Sequence, residues 1–336
     1  MKDYVRTYSG RPGLVPPEHV LVFDEAQRAF DADMVAETHK GRPPNGVYRS
    51  EPEHFVEFAG RIPEWCVVVG LIGEGQEIHK GEEAGLIQWR WAVERCADPG
   101  RWTVHAPLAL EAEFDGCTVP VRLQPYLNLD TELRFHLAKD LHVFVAGLLE
   151  ARTATALRPL AASLETEGYH LRLTRSLDQA KSYLRERYAE DREARFGVVA
   201  SSKDRDLYRF GIPNDYQSSK RVRVGPWYGD DEDDYAGRSC RRLADCVTEF
   251  GAQGLELDAT LLAWGTDLAM LGGRWSNAKA RGYQRGAKIR DPFQLRLNAY
   301  RVLLTRGRDA CVVFVPPLPE LDETAACLDA AGFRSL

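Results

Sequence analysis

Short apolar runs alternate with longer stretches of helical spacing along the chain. In the first part, HVLVF at 19–23 and WCVVVGLI at 65–72 predict buried strands, and residues 82–96 carry apolar side chains at helical spacing. In the second part, the same pattern predicts strands at 170–174, 196–201, 258–264 and 310–316 and helices at 133–150, 154–168 and 177–190. Because uninterrupted apolar strands separated by helices are typical of parallel sheets covered on both faces, the sequence predicts an α/β fold.

Length and composition indicate an ordinary globular chain. The sequence has 336 residues, of which 44% are hydrophobic and 28% are charged; at ~150 residues per domain, this length predicts about two domains, which we place at 1–105 and 106–336. No apolar run approaches the ~20 residues of a membrane span, and the first residues lack the apolar core of a secretory signal. We therefore expect a cytoplasmic protein without a membrane partner, and the scattered cysteines indicate reduced thiols.

The charge distribution excludes an overall positive charge that would attract nucleic acid, but it allows a local basic surface. The net charge is −6, so no overall attraction to a polyanion is expected. Basic residues nevertheless concentrate in two segments: Lys220, Arg221 and Arg223, and then Lys279, Arg281, Arg285, Lys288 and Arg290. Each segment is either a solvated face or part of a basic groove. The second lies in the stretch 266–297, whose Gly, Arg and Lys content predicts a long insertion that is either functional or mobile.

Two adjacent carboxylates follow the first predicted strand. In VLVFDEAQR, Asp24 and Glu25 come directly after the apolar run, at the strand end where open α/β sheets bind ligands. Such a pair suits nucleotide hydrolysis, in which one carboxylate holds Mg²⁺ and the other polarises the attacking water. The alternative is a strand that simply ends in a polar turn.

A glycine-rich segment follows the second predicted strand. Five glycines lie within 67–85, and Gln76 stands near the strand end, where its amide could sense a terminal phosphate. The alternative is a phosphate-cradling loop in its own right, although GLIGEG departs from GxGxxG.

Two further segments carry polar groups between apolar runs. In VTEFGAQGLELD, Thr248, Gln253 and Glu256 bring a hydroxyl, an amide and a carboxylate to one loop, and Gly254 permits close backbone approach. In NAYRVLLTRGR, Arg306 follows a predicted helix that ends near 305. An arginine fixed there can stabilise charge on a phosphoryl group, or it can be a surface arginine at a helix C-terminus.

Taken together, DEAQR, GxxxQE, TEFGAQGLELD and NAYRVLLTRGR, in this order, resemble motifs II, III, V and VI of superfamily 1 helicases. The closer resemblance is to the Schlafen group 3-like DNA/RNA helicase domain family, and it covers about residues 15–317. It rests most on the stretch SCRRLADCVTEFGAQGLELD, the WG that follows and AYRVLLTR. The resemblance implies two RecA-like parallel-sheet units of the P-loop NTPase type, the first of them incomplete.

The resemblance also implies ATP and Mg²⁺ as cofactors and single-stranded DNA or RNA as partner. It assigns catalytic roles to Asp24 (with Mg²⁺), Glu25, Gln76 and Arg306. It assigns nucleotide binding or coupling to Gln27, Arg134, Gln253, Gly254 and Glu256. Nucleic acid would contact Thr248, Lys279, Arg281, Arg285 and Lys288. Trp227, Trp275 and Tyr283 would either stack on bases or pack locally.

One departure from the family pattern changes the functional expectation. A motor of this kind carries a phosphate-binding P-loop before the acidic pair, and the sequence contains no GxxxxGK[ST]. The chain is then a truncated product, one half of a split protein whose partner or upstream segment supplies the P-loop, or a degenerate ATPase. The retained catalytic positions favour the first two explanations.

We therefore expect part of an ATP-dependent DNA/RNA helicase-like protein. The alternative is a catalytically inactive nucleic-acid or protein-binding module. A Rossmann-type enzyme built on the glycines at 70–75 is a weaker possibility, because it leaves the segments at 248–308 unexplained.

Overall fold

The computed structural model describes residues 2–9, 11, 13–38, 48–73, 85–128, 138–234, 236–283, 289 and 291–336. The chain divides into two compact units, Met1–Thr131 and Glu132–Leu336. The division therefore falls later than the 105–106 boundary predicted from the sequence. The reason is that the strand at Val104–Ala106 pairs in parallel with a later strand at Val121–Leu123, which keeps both in the first unit.

The first unit contains two small parallel sheets and five helices within its described part. Its helices are α1 (Lys2–Ser9), α2 (Ala32–Thr38), α3 (Glu51–Ala59), α4 (Ile87–Glu94) and α5 (Glu111–Phe114). Its strands are β1 (Val20–Phe23), β2 (Val67–Gly70), β3 (Val104–Ala106) and β4 (Val121–Leu123), paired as β1 with β2 and β3 with β4. The two strands predicted from apolar runs in this part are thus confirmed as β1 and β2.

Helix α3 covers one face of the β1–β2 sheet. It begins at a capping box, in which Ser50 Oγ accepts from the Glu53 amide and the Glu53 carboxylate accepts from the Ser50 amide. Its Phe55 packs with Leu21 of β1 in a small apolar core. On the opposite face of the sheet, Val20 and Val22 are 50% and 57% exposed.

The second unit is built on a six-stranded parallel sheet. Its helices are α6 (Ala138–Leu149), α7 (Ala154–Thr166), α8 (Leu177–Arg187), α9 (Tyr216–Arg221), α10 (Val224–Gly229), α11 (Glu249–Ala252), α12 (Pro292–Leu304) and α13 (Asp322–Ala331). Its strands are β5 (His170–Thr174), β6 (Phe196–Ala200), β7 (Cys246–Thr248), β8 (Leu257–Ala263), β9 (Ala269–Leu271), β10 (Arg274–Ser276), β11 (Gly307–Phe314) and β12 (Arg334–Ser335).

The strand order of the large sheet is β12-β5-β11-β8-β6-β7. The strands of this sheet run parallel, and β6 and β8 are buried along nearly their whole length. Buried apolar clusters lie on both of its faces, which is the arrangement that continuous apolar strands require. The predicted α/β fold is therefore confirmed, and the four strands predicted in this part appear as β5, β6, β8 and β11.

The described part of the stretch 266–297 contains regular secondary structure. It contains the antiparallel hairpin of β9 and β10, in which Trp275 pairs with Met270, and it ends in the first turns of α12. Gly272 and Gly273 form the turn with positive φ angles of 58° and 73°, which favour glycine. The weak periodicity from which a functional or mobile insertion was predicted has a structural reason, because turn glycines and short strands carry no helical spacing.

No described helix is both long enough and apolar enough to cross a membrane.

Strand β6 lies so close to Trp227 that one of its positions excludes a side chain. A Cβ added at Gly197 would lie 2.5 Å from Trp227 Cζ2 and 3.1 Å from Cys240 Cβ. We expect Gly197→Ala to lower the free energy of unfolding by about 1–3 kcal/mol, because overpacking forces backbone or ring displacement. Urea denaturation followed by circular dichroism measures this change. The control is Gly225→Ala, where a Cβ meets nothing within 4 Å, and an equal loss in both variants would contradict the prediction.

Candidate functional site

The acidic pair lies where β1 leaves its sheet. Asp24 and Glu25 follow Phe23 directly, and Ala26 N–H donates to Leu71 O at 2.6 Å. This bond ties the exit of β1 to the exit of β2. Glu25 takes a left-handed backbone conformation with φ 55° and ψ 46°, which is uncommon for a residue with a side chain and often marks a functional position.

Gln27 connects the acidic pair to the segment that follows β2. Its side chain is buried, its Nε2 donates to Glu25 Oε2 at 2.7 Å, and its Oε1 accepts from the Gly73 amide at 3.0 Å. Gln27 was predicted to contact a cofactor. The structure shows that its side chain orients Glu25.

The carboxylate of Asp24 fits the requirements of Mg²⁺. The residue is exposed, and only Oδ1 has a described partner, the Glu25 amide at 3.0 Å. Magnesium binds hard oxygen ligands and usually takes one or two carboxylates, with water and substrate phosphates completing its octahedron. No group of three potential metal-binding side chains occurs among the described residues, so Asp24 fits a shared site of this kind rather than an all-protein cage.

Four of the predicted residues lie outside the described residues: Gln76, Arg134, Arg285 and Lys288.

The loop after β7 is fixed by buried polar side chains. Thr248 and Glu249 are buried at the strand end, and the short helix α11 follows. Gly254 has φ 76°, a backbone conformation that explains the glycine at this position. Gln253 and Glu256 are half-buried on either side of it.

Arg306 is brought against this same loop. Its Nη1 donates to Leu255 O at 3.3 Å and its Nε donates to Val302 O at 3.1 Å. The Leu257 amide in turn donates to Arg306 O at 2.9 Å. The structure thus joins the predicted residues at 253–256 to Arg306, whose guanidinium is buried against main-chain oxygens.

Beneath this loop lies a buried ionic network centred on Arg296. Its guanidinium donates to Glu249 Oε1 at 3.2 Å and to Ser201 Oγ at 2.8 Å, and it lies 3.4 Å from Asp267 Oδ2. The three charged side chains are fully buried. Tyr300 Oη donates to Asp267 Oδ1 at 2.7 Å and so binds its second oxygen. The network therefore joins helix α12 to the ends of β6, β7 and β8.

Sequence reasoning did not identify this network. Arg296, Ala299, Tyr300 and Leu303 share one helical face by their spacing, and an arginine within an apolar face indicates a buried partner. The spacing does not identify the carboxylates that pair with Arg296, because Glu249 and Asp267 come from loops that are distant in the sequence.

Burial is the largest single influence on the pKa values of Asp267, Tyr300 and Arg296. Desolvation raises the pKa of Asp267 from 3.8 to about 6, although Arg296 lowers it in part. Burial and the neighbouring Asp267 raise the pKa of Tyr300 well above its usual range. Desolvation lowers the pKa of Arg296, but Glu249 and Asp267 outweigh this and raise it.

The predicted nucleic-acid residues are only partly available at the surface. Lys279 Nζ forms an ion pair with Glu320 Oε1 at 2.6 Å, whereas Arg281 is exposed. Trp227 and Trp275 are buried in the core of the second unit, and Trp275 stacks on the ring of Trp264. Local packing, rather than stacking on bases, is therefore confirmed for these two tryptophans.

Together these features define an α/β protein with an acidic pair at one strand end and an arginine fixed to a polar loop in another unit. The family model of the Schlafen group 3 DNA/RNA helicase domain matches residues 1–317. The chain belongs to this family. No curated protein sequence matches the chain.

Removing the central guanidinium should destabilise the second unit. Arg296→Met leaves the buried carboxylates of Glu249 and Asp267 without their cation, which costs about 3–5 kcal/mol in other proteins. Urea denaturation of the variant beside the parent measures the loss. Arg274→Met, at an exposed position of β10, is the control. A loss no larger than that of the control would contradict the network's structural role.

Asp267 should give the stability of the chain a characteristic pH dependence. Its folded pKa of about 6 exceeds its ordinary value of 3.8, so the folded state holds the proton more tightly than the unfolded state. The resulting stabilisation is complete below about pH 4 and is lost as pH rises through about 6. The unfolding free energy of the parent minus that of Asp267→Asn should therefore fall by up to about 3 kcal/mol from pH 4 to 7. Parallel pH profiles in urea denaturation would disprove this assignment.

Proposed function

We propose that this chain is part of an ATP-dependent DNA/RNA helicase-like protein that couples nucleotide hydrolysis to binding of a single strand. The observation that carries the proposal is the acidic pair at the end of β1, with Glu25 oriented by buried Gln27. Membership of a DNA/RNA helicase domain family supports the same assignment.

In this proposal the two carboxylates have different tasks. Asp24 is exposed and holds Mg²⁺, which would neutralise charge on the phosphates when bound. Glu25 orients and polarises the attacking water, because its carboxylate is fixed by the Gln27 amide at 2.7 Å. Gln27 also bonds to the Gly73 amide, and so links Glu25 to the segment that leads to Gln76, the proposed γ-phosphate sensor.

We further propose that polypeptide beyond the printed sequence supplies the phosphate-binding loop, from an upstream segment or a separate chain. Two observations support this. The sequence contains no GxxxxGK[ST], and the β1–β2 sheet exposes Val20, Val22 and Val67 on the face away from α3. Parallel sheets are normally covered on both faces. In an added strand–loop–helix element, the strand would extend the sheet and the helix would cover this face.

The second unit would contribute the residues that respond to phosphate and to the strand. Arg306 would act as the arginine finger, and Gln253, Gly254 and Glu256 as the coupling loop. The contact between Arg306 Nη1 and Leu255 O supports a coupled movement of the two, since a shift of one must displace the other.

A second candidate function is a binding module without turnover. The observation in its favour is the burial of Arg306, whose Nε and Nη1 donate to main-chain oxygens. An arginine bound in this way stabilises the loop at 253–256 through its hydrogen bond to Leu255 O.

One assay separates the two functions. We would measure ATP hydrolysis, with and without poly(dT), by the chain alone and by a fusion that adds a strand, a P-loop and a helix from a family member before Met1. We expect the chain alone to match its Glu25→Gln variant. We expect the fusion to hydrolyse ATP and to respond to poly(dT), and Glu25→Gln to lower its kcat by about 100-fold or more, because a positioned base contributes 10²–10⁴-fold.

Glu18→Gln, at an exposed position just before β1, is the matched control and should leave the rate unchanged. A fusion that binds poly(dT) but hydrolyses no ATP would contradict the leading proposal and favour the binding module. Hydrolysis by the chain alone that depends on Glu25 would support catalysis and refute the need for an added phosphate-binding loop.

A further inference from the structure

The topology of the large sheet singles out the point between β6 and β8. These strands are neighbours, yet the chain leaves β6 toward β7 on one side and leaves β8 toward β11 on the other. In open α/β sheets, ligands bind outside the carboxyl ends of strands at such a switch point. The loops concerned are 201–204 and 264–267.

The interior of this switch point is already filled. Asp204 Oδ2 accepts from the Thr266 amide at 2.6 Å, and Ser201 Oγ donates to Asp267 Oδ2. A Cβ added at Gly265 would lie 2.6 Å from Asp204 Cβ, so no space remains between the two loops. A ligand must therefore bind the outer surface of these loops.

Lys203, in the first of these loops, carries a half-buried cation. Its ammonium lies 4.6 Å from the ring centroid of Tyr283 and 5.6 Å from that of Phe250. It forms no ion pair with any carboxylate among the residues that the structure describes. Burial lowers the pKa of Lys203, although the charges of Glu249 and Asp267, which form no ion pair with it, raise this pKa in part.

A second cation lies near Lys203. The Arg281 amide donates to Lys203 O at 2.8 Å, Arg281 is exposed, and its charge lowers the pKa of Lys203. Glu249, a buried carboxylate whose charge also acts on Lys203, bonds to the Ser202 amide, the Ser202 hydroxyl and Arg296. The cluster of Lys203 and Arg281 therefore offers charge that no described carboxylate neutralises through an ion pair.

We propose that Lys203 and Arg281 form a phosphate-binding site for the backbone of a single-stranded nucleic acid. This inference rests on the proposed function and adds a residue, Lys203, that no sequence motif indicated. A compact ammonium acts as a point charge for phosphate, and an adjacent guanidinium adds directional donors.

The test is the affinity for fluorescent oligo(dT) and oligo(U), measured by anisotropy over a range of NaCl concentrations. We expect Lys203→Gln to weaken binding about 5–10-fold and to reduce the slope of log K against log[salt] by about 1, as loss of one phosphate contact does. Arg281→Gln should act alike, and Lys203→Arg should restore the slope. The control is Lys139→Gln, at an exposed position of α6, and thermal unfolding checks that each variant folds.

The remaining outcomes separate this site from the proposed function. If the parent binds and Lys203→Gln binds with unchanged affinity and slope, this site is refuted and the proposed function stands. If Lys203→Gln weakens binding of a fluorescent ATP analogue but not of the oligonucleotides, the phosphate comes from the nucleotide and the proposal is wrong. If the parent binds neither oligonucleotide, both this site and the nucleic-acid function fail.

Discussion

A buried guanidinium holds together the loops at the carboxyl ends of three strands in the second unit. Arg296, Glu249 and Asp267 are all fully buried, an arrangement that is tolerated only when each charge finds partners. The guanidinium therefore fixes the loops after β6, β7 and β8 relative to α12 as one assembly. Because α12 leads directly into Arg306, and Glu249 follows Thr248, the same constraint sets the positions of residues to which the family resemblance assigns function.

In the first unit, too, a buried polar side chain fixes the chain after a strand. Gln27 is a single buried amide that bonds to the Glu25 carboxylate and to the Gly73 amide. In both units, a buried polar side chain determines where the chain goes after a parallel strand ends. Chemistry that depends on accurate placement of carboxylates and cations requires loops with one defined conformation. The buried hydrogen bonds fix the conformation of these loops, which could otherwise adopt many others.

Strands were the most predictable part of this fold, and the buried charges were the least predictable. Apolar runs identified β1, β2, β6, β8 and β11, and the short segment 170–174 identified β5. In the large sheet the central strands are mostly apolar because both of its faces are covered. The pairing of β3 with β4, which moves the division of the chain to 131–132, depends on contacts between distant short strands that carry little pattern. Asp24 and Glu25 were visible from their place after an apolar run. Lys203 was not, because its lack of an ion pair with any described carboxylate is visible only in three dimensions.

The central claim is that function resides at the carboxyl ends of the parallel strands. Hydrogen–deuterium exchange of the chain with and without oligo(dT) and a magnesium–ATP analogue tests this claim most directly. The account predicts slower exchange in the segments after β6 and β7 and at 277–283 with oligo(dT). It predicts slower exchange at 24–28 once the nucleotide is bound with its phosphate-binding loop, and little change in α7, which precedes β5. Protection confined to α7 and other segments that enter the strands, with the strand exits unaffected, would contradict it.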